Sequence, residues 1–563
     1  GGPAVIAGAA PSPDGNRILV TRVHRPYSVI RSWERFPEDV EVWDLGGRVQ
    51  ATLSRRPLAE QVPIHGVTTG PRDHQWVPTE PATLTWAEAL DGGDPRAKAD
   101  HRDRIMLQVL GEAPVELART ISRFTSLDWL ETGDQALLND NDEDLHWART
   151  WLLGRKGGTP RLLWDMSSDE TYKDPGNPVW KVLPNGQYAI GVQGGTILLR
   201  GLGASPEGDR PFLDRLDLST LRPERLFRCG REGYETIVNV LDPVSGKFLT
   251  SRESPKDYPN LWIRTLGRRE KKAPAGEAAF ASTPRPFTSL VNPVPELAAI
   301  QQRLVTYKRA DGVDLSFTLY LPPNAKPGTP LPTIIWAYPV DFASAATASQ
   351  VGGSDKRFTW ISGSSPVFLA LQGYAVLYAT MPVVGDPANA YDTFLEQLEL
   401  NAKAAIDKAV ELGVTDPARV GVTGHSHGAL MTANFMARSQ LFRAGVARSG
   451  AYNHSIRPFG FQNERRTMWQ ARDTYLKISP LWNADLISKP LLLIHGENDQ
   501  NPGTVPYQSE KLYEALRGLG ATARLVMLPG ENHGYTSREA VEQVLWETVT
   551  WFDRYVKNAT PVK

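Results

Sequence analysis

The sequence predicts two domains of different class, an all-β N-terminal half read as a partial β-propeller (residues 1–267) and a doubly wound, mostly parallel α/β domain (residues 301–563). Three observations predict this. At 563 residues the chain is too long for one compact core. Up to about Gly267 it is rich in Trp, Asp and Gly, with short alternating runs and few segments long enough for a helix. Beyond the middle of the chain, continuous apolar strands alternate with amphipathic helices, the pattern of a parallel sheet covered on both faces.

In the first half a polar turn with Gly or Asp-Gly followed by an apolar strand recurs, in SPDGNRILVTRV, EPATLTWAEALDGGD, ETGDQALLND, PNGQYAIGV and VSGKFLTSR. The spacing of roughly 50–65 residues, with further strands such as VEVWDLGGRV and NLWIRTLG between, suits about five blades of four short strands. A β-sandwich with long loops is the alternative. From Gly267 to Phe287 the stretch GRREKKAPAGEAAFASTPRPF turns to Lys/Arg, Ala and Pro without periodicity, so residues 268–300 read as a linker. In the second half the expected strands are PTIIWAYPV, YAVLYAT, ARVGVTG, AGVARSG, KPLLLIHG and ARLVMLPG. The helices expected among them run through Phe394, Leu398, Ala402, Ile406 and Val410, from His427, from Val505, and through Val541, Val544, Leu545 and Phe552.

Composition excludes several classes. Lys+Arg 62 against Asp+Glu 63 leaves a formal charge of −1, with no long run of one sign to suit nucleic acid or an anionic membrane. No apolar stretch approaches the ~18 residues of a membrane span. The single Cys229 rules out an internal disulfide and a cysteine-rich zinc cluster, and fits cytoplasm and periplasm equally. The N-terminal residues neither show nor exclude a removed signal peptide, and the oligomeric state is left open.

The chemistry concentrates at GVTGHSHGALM. Ser426 stands between a buried strand and a helix in Gly424-His425-Ser426-His427-Gly428, the G-x-S-x-G turn of a nucleophile elbow in an α/β-hydrolase sheet. A hydroxyl attacks only when a base takes its proton and an acid orients that base, and in this fold the chain order is serine, acid, histidine. Asp499 follows KPLLLIHG and His533 follows ARLVMLPG, so all three fall on loops at one edge of one sheet. Glu497 and Glu531 are rivals read as solvated loop charges, and His495 as a hydrogen-bonded core histidine. The elbow should send the side chains of His425 and His427 away from the serine oxygen, and a His-x-His metal pair lacks a third ligand; no metal or organic cofactor is expected. The backbone N–H of His427 is one expected oxyanion donor, and the hydroxyl of Tyr338, in WAYPVDF, the other.

A propeller-like half followed by YKRADGVDLSFTLYLPP, WAYP, GHSHGALM, LLLIHGENDQNPG and LPGENHGY resembles the prolyl oligopeptidase family of serine peptidases. Within it, ARSGAYNHSIRPFGFQNERRTMW and HGYTSREAVEQVLWE are most similar to the glutamyl endopeptidase branch. The resemblance is dense from about Arg303 to Tyr555 and thin before that. It implies Ser426, Asp499 and His533 as triad, Tyr338 as oxyanion donor, and hydrolysis of peptides or unfolded chains through an acyl-enzyme. A carboxylesterase and an inert propeller scaffold are the competing expectations. Two departures stand out: His427 replaces the family's usual tyrosine after the nucleophile, and about five blades are counted where seven or eight are usual, so the chain is expected to begin inside the propeller. In the segment after the nucleophile helix, which the resemblance makes a wall of the specificity pocket, Arg448, His454 and Arg457 are candidates for selecting Glu or Asp before the scissile bond. Asn501, in the acid loop, completes the substrate-binding candidates. His454 stands where glutamyl endopeptidases tend to carry arginine. Were it the main cation, selection would fade as pH rises through about 6.5.

Overall fold

Five antiparallel sheets of four or five strands follow one another between Val5 and Pro286, with a two-stranded hairpin Trp180–Val182/Tyr188–Ile190 beside the fourth, in the computed structural model, which describes residues 4–270, 273–274 and 276–559. Four of them have four strands and the fourth in chain order has five. Each packs an apolar face on the next. Leu19, Val40 and Val42 of the first sheet meet Trp76 and Leu84 of the second. Ala87 and Ile105 of the second meet Leu127 and Leu138 of the third, and the pattern continues to Phe227 against Phe248 between the fourth and fifth. These are five blades in an arc, and no apolar cluster among the described residues joins the first blade to the fifth. The strand Val5–Pro11 is exposed along its whole length.

The expected 268–300 linker differs in the structure. Phe280–Pro286 pairs antiparallel with Asn260–Arg269 as the outer strand of the fifth blade. Pro284 and Pro286 made the stretch look irregular, but an edge strand has no outer neighbour to which those missing N–H groups would donate. Leu297 and Ile300 are already buried in the core of the second domain, so the crossing segment is residues 287–294. Lys271, Lys272 and Ala275, in the middle of the expected linker, lie outside the described residues.

The second domain is built on an eight-stranded sheet, with a small two-stranded one of Phe459–Phe461 and Glu464–Thr467 beside it. The spatial order of the larger sheet is Gln301–Lys308, Asp314–Leu321, Ala375–Val384, Leu331–Phe342, Thr415–His425, Ala444–Arg448, Leu491–Gly496 and Ala523–Leu528. The second of these, Asp314–Leu321, runs antiparallel to both of its neighbours, and the other seven share one direction, the last six as a continuous parallel array. Central strands such as Ala444–Arg448 and Leu491–Gly496 are buried at every position, as continuous apolar runs require when helices cover both faces. The helix Phe394–Glu411 buries Phe394, Leu398, Ala402 and Ile406 as expected, but Ala405 and Ala409 take over from Val410, which is exposed. A spacing of four residues drifts about 40° per step against the 3.6-residue turn, so the fifth position has rotated out of the core.

The loops between the second and third strands of the blades meet the hydrolase domain. Arg465 Nη2 donates to the Glu143 carbonyl at 2.8 Å and its guanidinium pairs with Asp144. Gly353 and Asp209 exchange two hydrogen bonds, and Tyr258 packs edge-on against Phe358. The propeller therefore sits over the segment 462–465 and the end of the strand that carries Tyr338.

Candidate active site

Ser426 caps the nucleophile helix at φ 58°, ψ −117°, a left-handed backbone that non-glycine residues rarely adopt. Two glycines make the turn possible. A Cβ on Gly424 would lie 2.3 Å from the Gly428 carbonyl oxygen, and one on Gly428 would lie 2.6 Å from that of Ala337. The second contact matters chemically. It presses the helix N-terminus against the strand carrying Tyr338, so the first N–H groups of the helix, which have no partner within it, open beside that tyrosine. The Ser426 N–H itself donates to the Arg448 carbonyl at 2.8 Å, tying the elbow to the neighbouring strand.

Asp499 and His533 leave the next two strands at the same sheet edge. Asp499 Oδ2 lies 2.8 Å from His533 Nδ1, and the acid side chain is fully buried while His533 remains partly open. Burial works to raise the Asp499 pKa, but hydrogen bonds from His495 and His533 and the Asn501 N–H outweigh it and hold the carboxyl well below the usual range. Thr504, which the sequence did not single out, donates its hydroxyl to Asp499 Oδ2 and lies 3.0 Å from His533 Nδ1. Asn501 is exposed; its N–H donates to Asp499 Oδ1 and its side chain accepts from the Gly503 N–H, so it shapes the acid loop.

The rivals separate cleanly. Glu497 is an exposed loop charge, as expected. Glu531 is not: it is 4% exposed and accepts from the N–H groups of Thr536 and Ser537 at the start of the last helix. A carboxylate there is favoured by those unsatisfied N–H donors. His427 turns away from the serine into a wall of Tyr338, Tyr391 and Phe394 rings, where burial lowers its pKa to about 3. His425 lies beside His533. Its ring centroid lies 4.8 Å from that of His533, and burial, with Arg448 and His533 beside it, also lowers it to about 3, so it packs against the base as a neutral ring.

The three cation candidates do not share one place. Arg448 is buried beside His425 and Tyr535, and its Nη1 donates to the carbonyl and hydroxyl of Ser364. His454 is 1% exposed and stacked on Phe461 at 4.0 Å, with neither ring nitrogen hydrogen-bonded. Burial, with Arg457 and His427 nearby, holds its pKa well below the ordinary value, so it is neutral and cannot be the carboxylate-selecting cation. Arg457 differs. It follows the 3-10 turn His454–Ile456, three residues per turn placing it on the same face as His454, and its guanidinium lies flat over Gly503, where a Cβ would fall 2.2 Å from Nη1. Burial lowers its pKa, aromatic hydroxyls of Tyr475 and Tyr391 surround it, and among the described residues no carboxylate pairs with it. Tyr338 is 41% exposed, with its hydroxyl 3.5 Å from Gln462 Nε2. Among the described residues no group of His, Cys, Asp and Glu could hold a metal ion, and no helix is long and apolar enough to cross a membrane.

Residues 400–559 match the prolyl oligopeptidase family. The chain is 39% identical over 582 residues to a probable chloroplastic glutamyl endopeptidase of Oryza sativa subsp. japonica, covering 99% of this chain and 61% of that protein. It is 40% identical to the Arabidopsis thaliana protein of the same description, covering 59% of it, so it spans about three fifths of the length of these plant relatives. An acylaminoacyl peptidase solved with Z-Gly-Gly-Phe-chloromethyl ketone superposes at a TM-score of 0.62 and 17% identity, covering 99% of this chain and 82% of that one. A puromycin-hydrolyzing peptidase of Mycobacterium tuberculosis gives 0.63 at 16% identity, covering 100% and 80%. Both carry the likeness of fold alone.

Proposed function

We propose that this chain, whose residues 400–559 match the prolyl oligopeptidase family, is a serine peptidase hydrolysing oligopeptides or unfolded chains, with a preference for Glu before the scissile bond. The observation that carries the reading is the buried Asp499–His533 pair, 2.8 Å apart, at the sheet edge where the strained elbow presents Ser426. Ser426 attacks the peptide carbonyl while His533 takes its proton. Asp499 holds His533 with Nε2 free for that transfer, because Nδ1 is committed to the carboxylate. The tetrahedral oxyanion is met by the His427 N–H and the Tyr338 hydroxyl. His533 then gives the proton to the leaving amine, and water, activated by the same histidine, releases the acyl-enzyme. The propeller loops over the site favour chains that can thread in.

Arg457 supports the acidic preference, being a guanidinium with no carboxylate partner among the described residues, framed by Tyr391 and Tyr475 and resting on the acid loop. A bound Glu carboxylate would supply the missing counter-charge through two parallel hydrogen bonds. The test uses fluorophosphonate labelling followed by matched peptides with Glu or Gln at the cleaved position. The parent should label at Ser426 and favour Glu by about 10-fold or more in kcat/KM. Arg457→Met should remove that preference with Gln cleavage unchanged. A preference that survives Arg457→Met would reject the cation assignment, and an unlabelled parent would reject the peptidase.

A further inference from the structure

Asp499 has a second histidine. His495 lies on the strand Leu491–Gly496, four residues before the acid, and is completely buried. Its Nε2 sits 3.1 Å from Asp499 Oδ2, the same oxygen that faces His533, and 2.6 Å from the Thr504 carbonyl oxygen. Its Nδ1 is 2.6 Å from the hydroxyl of Ser509, a buried residue of the helix Tyr507–Gly518. Both neighbours of Nε2 can only accept hydrogen bonds, since one is a carboxylate and the other a carbonyl. Nε2 therefore carries a proton and donates to both, while the Ser509 hydroxyl holds the opposite side of the ring.

This geometry does more than fill a core. Thr504 closes the acid loop, with its hydroxyl on Asp499 Oδ2 and its carbonyl on His495. His495 thus fastens the first and last residues of the loop Asp499–Thr504 to a rigid central strand, and with Thr504 it fixes which carboxylate oxygen is turned to the catalytic base. We propose that His495 is a positioning residue of the catalytic acid: it holds Asp499 Oδ2 in line with His533 and donates to the ionised carboxylate throughout turnover. The assignment rests on the peptidase reading given above, and the experiment separates the two.

The experiment compares His495→Gln with His495→Asn, and uses Ser509→Ala as a third variant. A glutamine amide reaches the position of Nε2 and keeps the donor to Asp499; an asparagine amide reaches only that of Nδ1. Each preparation is titrated with a fluorophosphonate so that kcat is expressed per active serine, which removes any misfolded fraction. For His495→Asn we expect kcat to fall about 10- to 100-fold with KM within about threefold. The acid limb of its kcat/KM profile should move to higher pH, because that limb reports the general base, and a carboxylate that has lost a donor favours the protonated form of the base more strongly. His495→Gln should keep kcat within about fivefold and the acid limb in place. Ser509→Ala should fall between the two. Equal kcat per active site in the Gln and Asn variants, or an unmoved acid limb in His495→Asn, would overturn the positioning role while leaving the peptidase intact. A parent that neither labels nor cleaves peptides would instead remove the reading on which the proposal stands.

Discussion

His533 and His427 are both close to Ser426 in sequence or space, yet substitution should affect them in opposite ways. His533→Ala removes the base and should abolish turnover while the fold persists, since its side chain is 27% exposed. His427→Ala leaves the backbone N–H in place but empties a site walled by Tyr338, Tyr391 and Phe394, at 5% exposure. It should cost about 2 kcal/mol or more of stability and keep kcat per active site within about tenfold. Calorimetry and titrated kcat on both variants decide this. Tyr338→Phe should show the converse of a packing defect, a kcat loss of about 10- to 1,000-fold with melting temperature and KM little changed. The pH behaviour follows from the same environments. Asp499 is held far below the usual carboxylate range, so the stability it contributes is complete above its unfolded value of about 3.9 and is lost only as pH falls toward its folded one. His454 stays neutral, so the Glu preference should not fade through pH 6.5.

At the scale of elements, the elbow works because a strand, a turn and a helix approach more closely than side chains allow. Gly428→Ala is the sharpest test, since its Cβ would stand 2.6 Å from the Ala337 carbonyl, a backbone atom that cannot swing aside. The variant should either fail to fold or push the helix off the Tyr338 strand and lose at least 100-fold in kcat. Normal activity with a normal melting temperature would mean that the close approach is unimportant. The strand-to-helix context of Ser426 was legible from the local pattern, because periodicity and glycine placement are local properties. The outer strand Phe280–Pro286 was not, because its pairing with Asn260–Arg269 is a contact between segments, and its prolines carry the signature of a loop.

For the whole molecule, the meeting of propeller and hydrolase places Asp341, three residues after Tyr338, against His146 and Asp169 of the third blade. Burial pushes its pKa up to about 6, with Asp169 adding to the rise and the Tyr391 hydroxyl, His146 and Asn463 opposing it. The ionised form is thus disfavoured in the fold. Stability is unaffected below the unfolded value of about 3.9 and is lost as pH rises through about 6, by on the order of 2–3 kcal/mol. His146, lifted by its hydrogen bond to Asp169, loses its proton in the same direction in parent and variant alike. Asp341→Asn should therefore melt close to the parent at pH 4 and above it at pH 8. A gain of equal size at both values would show that Asp341 titrates normally.

The sequence by itself determined the fold of the C-terminal half and the elbow at Ser426, and it pointed to the order Ser426, Asp499, His533, because each rests on local periodicity and on motifs that a strand edge must present. It also implied five blades, through the recurrence of turn and strand. Only the tertiary structure separates the three cation candidates: Arg448, His454 and Arg457 are indistinguishable as residues in a row, and burial and the partners among the described residues tell them apart. The same holds for Thr504 and His495 on the catalytic acid, for Glu531 capping a helix, and for the propeller's reach to Asp341. The reason is physical. A residue's chemistry is fixed by its type, but its protonation, its partners and its access to substrate depend on what the rest of the chain folds against it.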